Sequence, residues 1–423
     1  MPRLTAPDTS VASHGMARMK AAVPLYAIKT KAHLGELTFR RRAMANSQAR
    51  LVGRYALEPE IDLDAFNCRA VVDWLTICFW LGRKTQFQWL QDDIEAVLGR
   101  KPFVQPLSEE PGGVADKFDV RIQEPDLRKI RAACDLVGAK YGLEMLPFIR
   151  AIEISVDFTP KQPDDGKRAK LFTVLTRHFW TDRDVISGHF DRPRFTWGKN
   201  KEETGHVLRH IEGGPEGVNE SLLISTVRDR SPFVDSNYYI GAKGSDISWR
   251  IMDKVIDTQN HRAGTAIQLD EADKRVRIEV TLDRPAVSAI GLTHLKDLAR
   301  MRFARLQGMF FTFMLPTFVD VGKVGRSVNS AIKAWHDQQR VAKFLQTGVI
   351  GLKAMDDARE LQAMHLRKQE RRLLVAQGLK MKRPPRVGTQ KAGTFLAYDE
   401  LNGRVSDALR HLGARVAAAF PEE

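Results

Sequence analysis

Three carboxylates in this 423-residue chain stand where they could do chemistry together. Glu153 and Asp157 lie in AIEISVDF (151–158), and Glu279 lies in RVRIEVTL (275–282). Clustered carboxylate oxygens hold hard divalent ions such as Mg²⁺ or Mn²⁺. Arg250 and Lys254 share one face of a further segment with Met252, and Arg275 and Arg277 are close in sequence to Glu279. A cation between carboxylates, ringed by Arg and Lys, polarises a phosphodiester and offsets the charge of its transition state. A tyrosine hydroxyl placed there could attack phosphorus and form a covalent link. Two of the chain's six tyrosines, Tyr238 and Tyr239, precede Arg250 in the same stretch. The plainer alternative is a half-exposed antiparallel sheet whose charged face is solvated and whose tyrosines pack between strands.

Period-two alternation supplies the elements that would position these groups. In 275–282, Val276, Ile278, Val280 and Leu282 face one way, and Arg275, Arg277, Glu279 and Thr281 the other. In 151–158, Ile152, Ile154, Val156 and Phe158 oppose Glu153, Ser155 and Asp157. Carboxylates four residues apart on a strand stand roughly 13–14 Å apart, so only one of Glu153 and Asp157 easily shares a site with Glu279 unless the strand twists or bulges. Residues 237–254 read as strand, Gly/Ser/Asp turn and strand, with a polar loop from Val255 to Asp273 leading to the Glu279 strand. A turn centred near Gly244-Ser245 would set Tyr238 almost opposite Met252.

Other chemistries lack their residues. There is no GxxxxGK[ST] phosphate loop, and Gly241-Ala242-Lys243-Gly244-Ser245 reads as a hairpin turn. His206 and His210 have helical spacing without the glutamate of a zinc protease, and no Gly-x-Ser-x-Gly occurs. Net charge is +14, with ten Lys/Arg against two acids in residues 1–54 and nine against one in 361–391. Basic ends on a more balanced middle favour a polyanion, DNA or RNA. Cys68, Cys78 and Cys134 are too few and scattered for a zinc site or disulfide framework, which fits a reducing cytoplasm. No apolar run approaches the ~18 residues of a membrane span, and the N-terminus lacks a secretory h-region.

The stretch YIGAKGSDISWRIMDK (239–254) resembles the signature of the Rep_trans replication initiation family, roughly YIGSRxSDxxxRIYxK. That family includes rolling-circle plasmid initiators, filamentous-phage replication proteins and relaxases of integrative elements. Arg277-Ile-Glu279-Val280 and the strand bearing Glu153 and Asp157 match its R-x-E-V and D-x-x-x-D elements in order, so the resemblance covers about residues 60–290. It implies a divalent metal, Mg²⁺ or Mn²⁺, held by Glu153, Asp157 and Glu279, with Arg250 and Lys254 on phosphate. It also implies a single-strand nick at an origin, attachment through a tyrosine 5′-phosphate, and recruitment of a host helicase. The signature's tyrosine is Met252 here. Three readings stay open: the hydroxyl comes from Tyr238 or Tyr239, which we favour; it comes from Tyr141 or Tyr398; or the protein opens DNA without nicking it.

The expected architecture is α+β, an antiparallel sheet flanked by helices as in rolling-circle nucleases. Residues 1–60 should be a basic flexible segment, 61–290 the nicking and origin-binding domain, 291–380 a helical region, and 381–423 a basic linker with a final helix. Expected partners are origin DNA, single- and double-stranded, and a helicase; a homodimer is open and no membrane is expected. Expected DNA contacts are Lys243, Arg275, Arg277, the run Arg40, Arg41 and Arg42, and Lys382 with Arg383.

Overall fold

The strand Phe148–Pro160 sits near the middle of the molecule, because its alternating apolar residues give it one face to bury and its polar residues a second. The computed structural model describes residues 21–44, 51, 53–108, 110, 113–198, 203–208, 223–260, 265–320, 328–379 and 395–420. In chain order its strands are β1 Ala21–Ala27, β2 Ala32–Ala43, β3 Arg54–Pro59, β4 Phe66–Gln86, β5 Phe103–Pro106, β6 Val114–Gln123, β7 Phe148–Pro160, β8 Phe179–Trp180, β9 Arg194–Trp197, β10 Glu203–His206, β11 Asn237–Ile240, β12 Ile247–Lys254, β13 Ile256–Asn260, β14 Thr265–Gln268, β15 Arg275–Leu282, β16 Thr312–Val319 and β17 Phe395–Ala397. Nine of them form one antiparallel sheet in the order β10-β9-β11-β12-β15-β7-β4-β6-β5. A second sheet runs β1-β2-β3-β16-β17, with β8 beside β16. The α+β class with antiparallel sheets and flanking helices is as expected.

Helices α1–α3 pack on the large sheet, together with the final helix, which lies against β4. Helix α1, Phe87–Leu98, buries Leu90 and Ile94 and stops at Gly99, whose φ of 70° suits a residue without a side chain. Helix α2, Leu127–Tyr141, starts at Asp126, which accepts from the N–H groups of Arg128 and Lys129. Pro125 lies just outside the helix. Helix α3, Asp165–His178, is wedged between the two sheets and buried on every side, with Leu171, Phe172, Val174 and Leu175 fully enclosed. Its buried Thr173 and Thr176 hydroxyls donate to carbonyls one turn back, which satisfies them without water.

Several expectations change here. From Ala21 onward the N-terminal segment is sheet, not flexible chain: Val23, Leu25, Leu37 and Phe39 alternate inward. Pro24 is tolerated because β1 is an edge strand. Strand β3 pairs with β16, so contacts cross the boundaries placed at 60 and 290, and one apolar cluster runs from Ala21 to Val416. Within the region 291–380 expected to be helical, 293–306 holds only short turns of helix and 312–319 is a strand. The polar loop after β12 carries the ribbon β13–β14. Within Val328–Ala376 two helices, 328–347 and 349–376, meet at Gly348, whose φ of 73° is not helical, in keeping with the helical region expected there. A β-carbon at Gly348 would lie 2.7 Å from the Arg177 backbone, so the kink permits a close approach to α3. The final helix runs Asp399–Ala418. No helix among the described residues is long and apolar enough to cross a membrane, and the three cysteines are free.

Candidate metal centre on the sheet face

Register determines which side chains meet, because directly opposite residues on antiparallel strands share a face. One row of the large sheet reads Arg194, Tyr239, Arg250, Glu279, Ser155 and Val71 across β9, β11, β12, β15, β7 and β4. The next reads Thr196, Asn237, Met252, Arg277, Asp157 and Arg69. On the other side of the first row, Ser248, Thr281, Glu153 and Trp74 align. These rows form the front face, opposite the face covered by α1–α3.

Asp73 joins the front face through a bulge. Val72 pairs with Ile154 and Trp74 with Glu153, so Asp73 is the extra residue on β4 and shares Glu153 with Trp74. Bulges re-aim a side chain in this way beside functional sites. Strict alternation along Val71–Ile77 would have set Asp73 with Leu75 and Ile77 on the core side, which is why the sequence did not reveal it. One acid within the apolar run VVDWLTI was the available signal.

Asp73, Glu153 and Glu279 can each turn one carboxylate oxygen so that the three lie within 4.8 Å of one another. Glu279 is 1% exposed and Glu153 7%. The Thr281 hydroxyl donates to Glu153 Oε2 at 2.7 Å, and Arg250 Nε and Nη2 both reach Glu279 Oε2 at 2.5 Å. Glu279 Oε1 is buried without a hydrogen-bond partner. Burial, and next the adjacent Glu279 charge, push the Glu153 carboxyl up to about 8. Burial also works to raise Asp73, but Arg277, Lys254 and a hydrogen bond with Glu153 outweigh it and hold Asp73 below the usual range. The front face thus gathers three acids, one of them retaining its proton at neutral pH, with an oxygen of Glu279 unspent. These residues fit a hard divalent ion, which would take the place of the Glu153 proton and satisfy that oxygen.

Asp157 is placed differently from its two expected partners. Arg277 grips it with Nε at 2.5 Å and Nη2 at 2.7 Å, and Arg275 Nε adds a contact at 3.1 Å. Arg277 Nη1 also ion-pairs with Asp73 and approaches Glu279 Oε1 at 3.6 Å. The pleat keeps Asp157 one row away from the acidic group, so the structure brings Glu153 and Glu279 together with Asp73 and leaves Asp157 to the arginines. Burial lowers the Arg277 pKa less than Asp157 and Asp73 raise it, and its charge is locked in.

The tyrosines separate by face. The hairpin turn spans 241–246, so Asn237, not Tyr238, stands opposite Met252. That one-residue difference sends Tyr238 to the core against Ile251, 1% exposed, its buried hydroxyl without a partner and its pKa raised by burial. Tyr239 lies on the front face between Arg194 and Arg250, with the Arg194 guanidinium 5.5 Å from its ring centre. Tyr141 bonds Asp93 in the helical layer, and Tyr398 is buried against His178. Met252 also faces front, between Asn237 and Arg277.

Among the expected DNA contacts, Lys243 is exposed on the hairpin turn and Lys254 is half-buried opposite Arg275, its pKa lowered by burial and then by Arg277. Arg277, 2% exposed, is enclosed by its acids. Arg40 and Arg42 pair with Glu58 on the second sheet, and Arg41 lies 4.6 Å over Tyr55. Lys382, Arg383 and His210 lie outside the described residues.

No protein-family model and no curated protein matches the chain. Among solved structures it is similar to a rolling circle replication initiator protein from Geobacillus stearothermophilus, at 13% identity over 67% of this chain and 98% of that one, with a TM-score of 0.25. A superposition of that quality carries no functional argument, and the weight falls on the front-face side chains.

Proposed function

We propose that the protein is a replication initiator of the Rep_trans type, from a plasmid, phage or integrative element, which binds origin DNA and nicks one strand through Tyr239. The observation that carries this reading is the row Tyr239–Arg250–Glu279. It sets a tyrosine two strands, about 10 Å of backbone, from a buried acidic group on the same face. A divalent ion held by Asp73, Glu153 and Glu279 would supply Lewis-acid polarisation of a non-bridging phosphate oxygen. The Tyr239 oxygen forms a bond to phosphorus as the bond to the 3′-oxygen breaks; the 3′-oxygen takes up a proton, and the 5′-phosphate stays on the tyrosine. Arg194 and Arg250 flank the tyrosine on the same row and would meet the phosphate drawn to it. Lys254 and the basic ends steer DNA to the face.

Met252 favours a second reading, an initiator that binds and opens origin DNA without cutting it. Incubation with supercoiled and single-stranded DNA, with Mg²⁺ or Mn²⁺ and an EDTA control, separates the two. The first reading predicts an ion-dependent covalent adduct on Tyr239 by peptide mass spectrometry. Tight origin binding with no adduct on any substrate would leave the second.

A further inference from the structure

Beside the acidic group the front face continues over β4, β6 and β5, and there its character changes from acidic to aromatic and basic. Trp74 stands opposite Glu153 on one side and Gln123 on the other; Arg121 stands opposite Thr76 and Phe103, and Trp80 opposite Lys117. All therefore share the face of Glu153. The Arg121 guanidinium lies 4.3 Å from the centre of the Trp74 ring, and Lys117 Nζ lies 4.3 Å from that of Trp80. The acid between them, Asp119, is held by Arg150 at 3.1 Å, so both cations rest on rings rather than on a carboxylate. Phe103, at the outer end of this ladder, is 60% exposed.

We propose that this ladder is a stacking platform for an unpaired stretch of DNA whose strand runs on to the acidic group. Bases have flat π-faces that stack on aromatic rings and on guanidinium planes, and the interleaved cations meet the phosphates between them. A duplex keeps its bases stacked on one another and cannot use such a surface. The ladder spans about 10 Å from β5 to β4 and roughly 20 Å along β4, room for about three splayed bases. Trp74, directly opposite Glu153, joins the platform to the site. The direction in which the strand leads rests on the proposed nicking function, but the platform itself needs no metal and no cleavage.

The test is fluorescence anisotropy in EDTA with a labelled thymidine oligonucleotide and an abasic backbone of equal length, using the full chain. The wild type should bind the thymidine strand at least about fivefold tighter than the abasic one, the low end of what one base on an aromatic ring contributes. Phe103→Ala and Trp74→Ala should each lose that preference while keeping the abasic affinity. Should Trp74→Ala fail to fold, Phe103→Ala remains decisive, since its ring is largely in solvent. Equal binding of both strands by the wild type, or unchanged thymidine affinity in Phe103→Ala, would overturn the platform. Because no ion is present, neither result depends on nicking, and loss of nicking with stacking intact would count against the proposed function alone.

Discussion

Tyr238 and Tyr239 are neighbours in the chain and live in different environments. Tyr238 shares its row with Ile251, Ile278 and Val156, all fully buried, while Tyr239 shares its row with Arg250, Glu279 and Ser155. The back face is held mainly by hydrophobic contact, with Asp253 ion-paired to Arg168 and the buried Tyr238 hydroxyl left without a partner. The front face is held by charge, and it divides again. Around Asp157 both carboxylate oxygens are bound by arginine, whereas in the acidic group one Glu279 oxygen is unspent and Glu153 keeps a proton. A sheet with an apolar, close-packed back and an acidic, incompletely satisfied front has a structural side and a chemical side.

The sharpest way to break this comparison is at the two tyrosines. Tyr239→Phe should abolish the DNA adduct. Tyr238→Phe should leave it intact and change stability by no more than about 1 kcal/mol in urea unfolding, since it deletes a hydroxyl with no partner. An adduct in Tyr239→Phe would place the nucleophile elsewhere.

Next in size are Glu279→Gln and its core-side neighbour Ile278→Ala. Glu279→Gln should slow nicking by about 10²–10³-fold, the scale of losing one transition-state charge contact, with origin binding retained. Ile278→Ala should cost about 2–5 kcal/mol of stability with no specific change in ion dependence. Asp157→Ala contrasts the two halves of the front face. It removes the two-pronged partner of the buried Arg277 charge, leaving Asp73 and the longer contact to Glu279, and should cost about 3–5 kcal/mol in the same unfolding assay.

The smallest effect is a pH slope. Glu153 titrates at about 8 in the folded chain, above its ordinary 4.5, so between those values the folded state holds a proton that the unfolded state releases. Stability from this group is therefore present below about 4.5 and falls as pH rises towards 8. Thermal melts of the metal-free protein should show that decline, and Glu153→Gln should flatten it. Added Mn²⁺ must displace the proton, so it should raise the Tm more at pH 8 than at pH 6.

Much of this sheet was legible because alternation is a local property: the polar and apolar sets of β7 and β15 and the hairpin β11–β12 follow from spacing. What was not legible depended on partners distant in sequence. The N-terminal strands β1–β3 pair with one another, but the sheet is completed by β16, more than 250 residues after β3. Asp73 was hidden by a bulge that breaks the rule used to read its strand, and Tyr238 stands opposite Ile251, one residue from Met252, although the turn is centred at Gly244-Ser245 as expected. Asp157 followed the family pattern in sequence, but the four-residue spacing already indicated that only one acid of β7 could reach Glu279.

The central claim is that Asp73, Glu153 and Glu279 form a divalent-ion site, and Mn²⁺ binding followed by electron paramagnetic resonance tests it most directly. The account predicts bound Mn²⁺ in the wild type, its loss in Asp73→Asn, and its retention in a folded Asp157→Asn. Mn²⁺ bound to Asp73→Asn as tightly as to the wild type would contradict it.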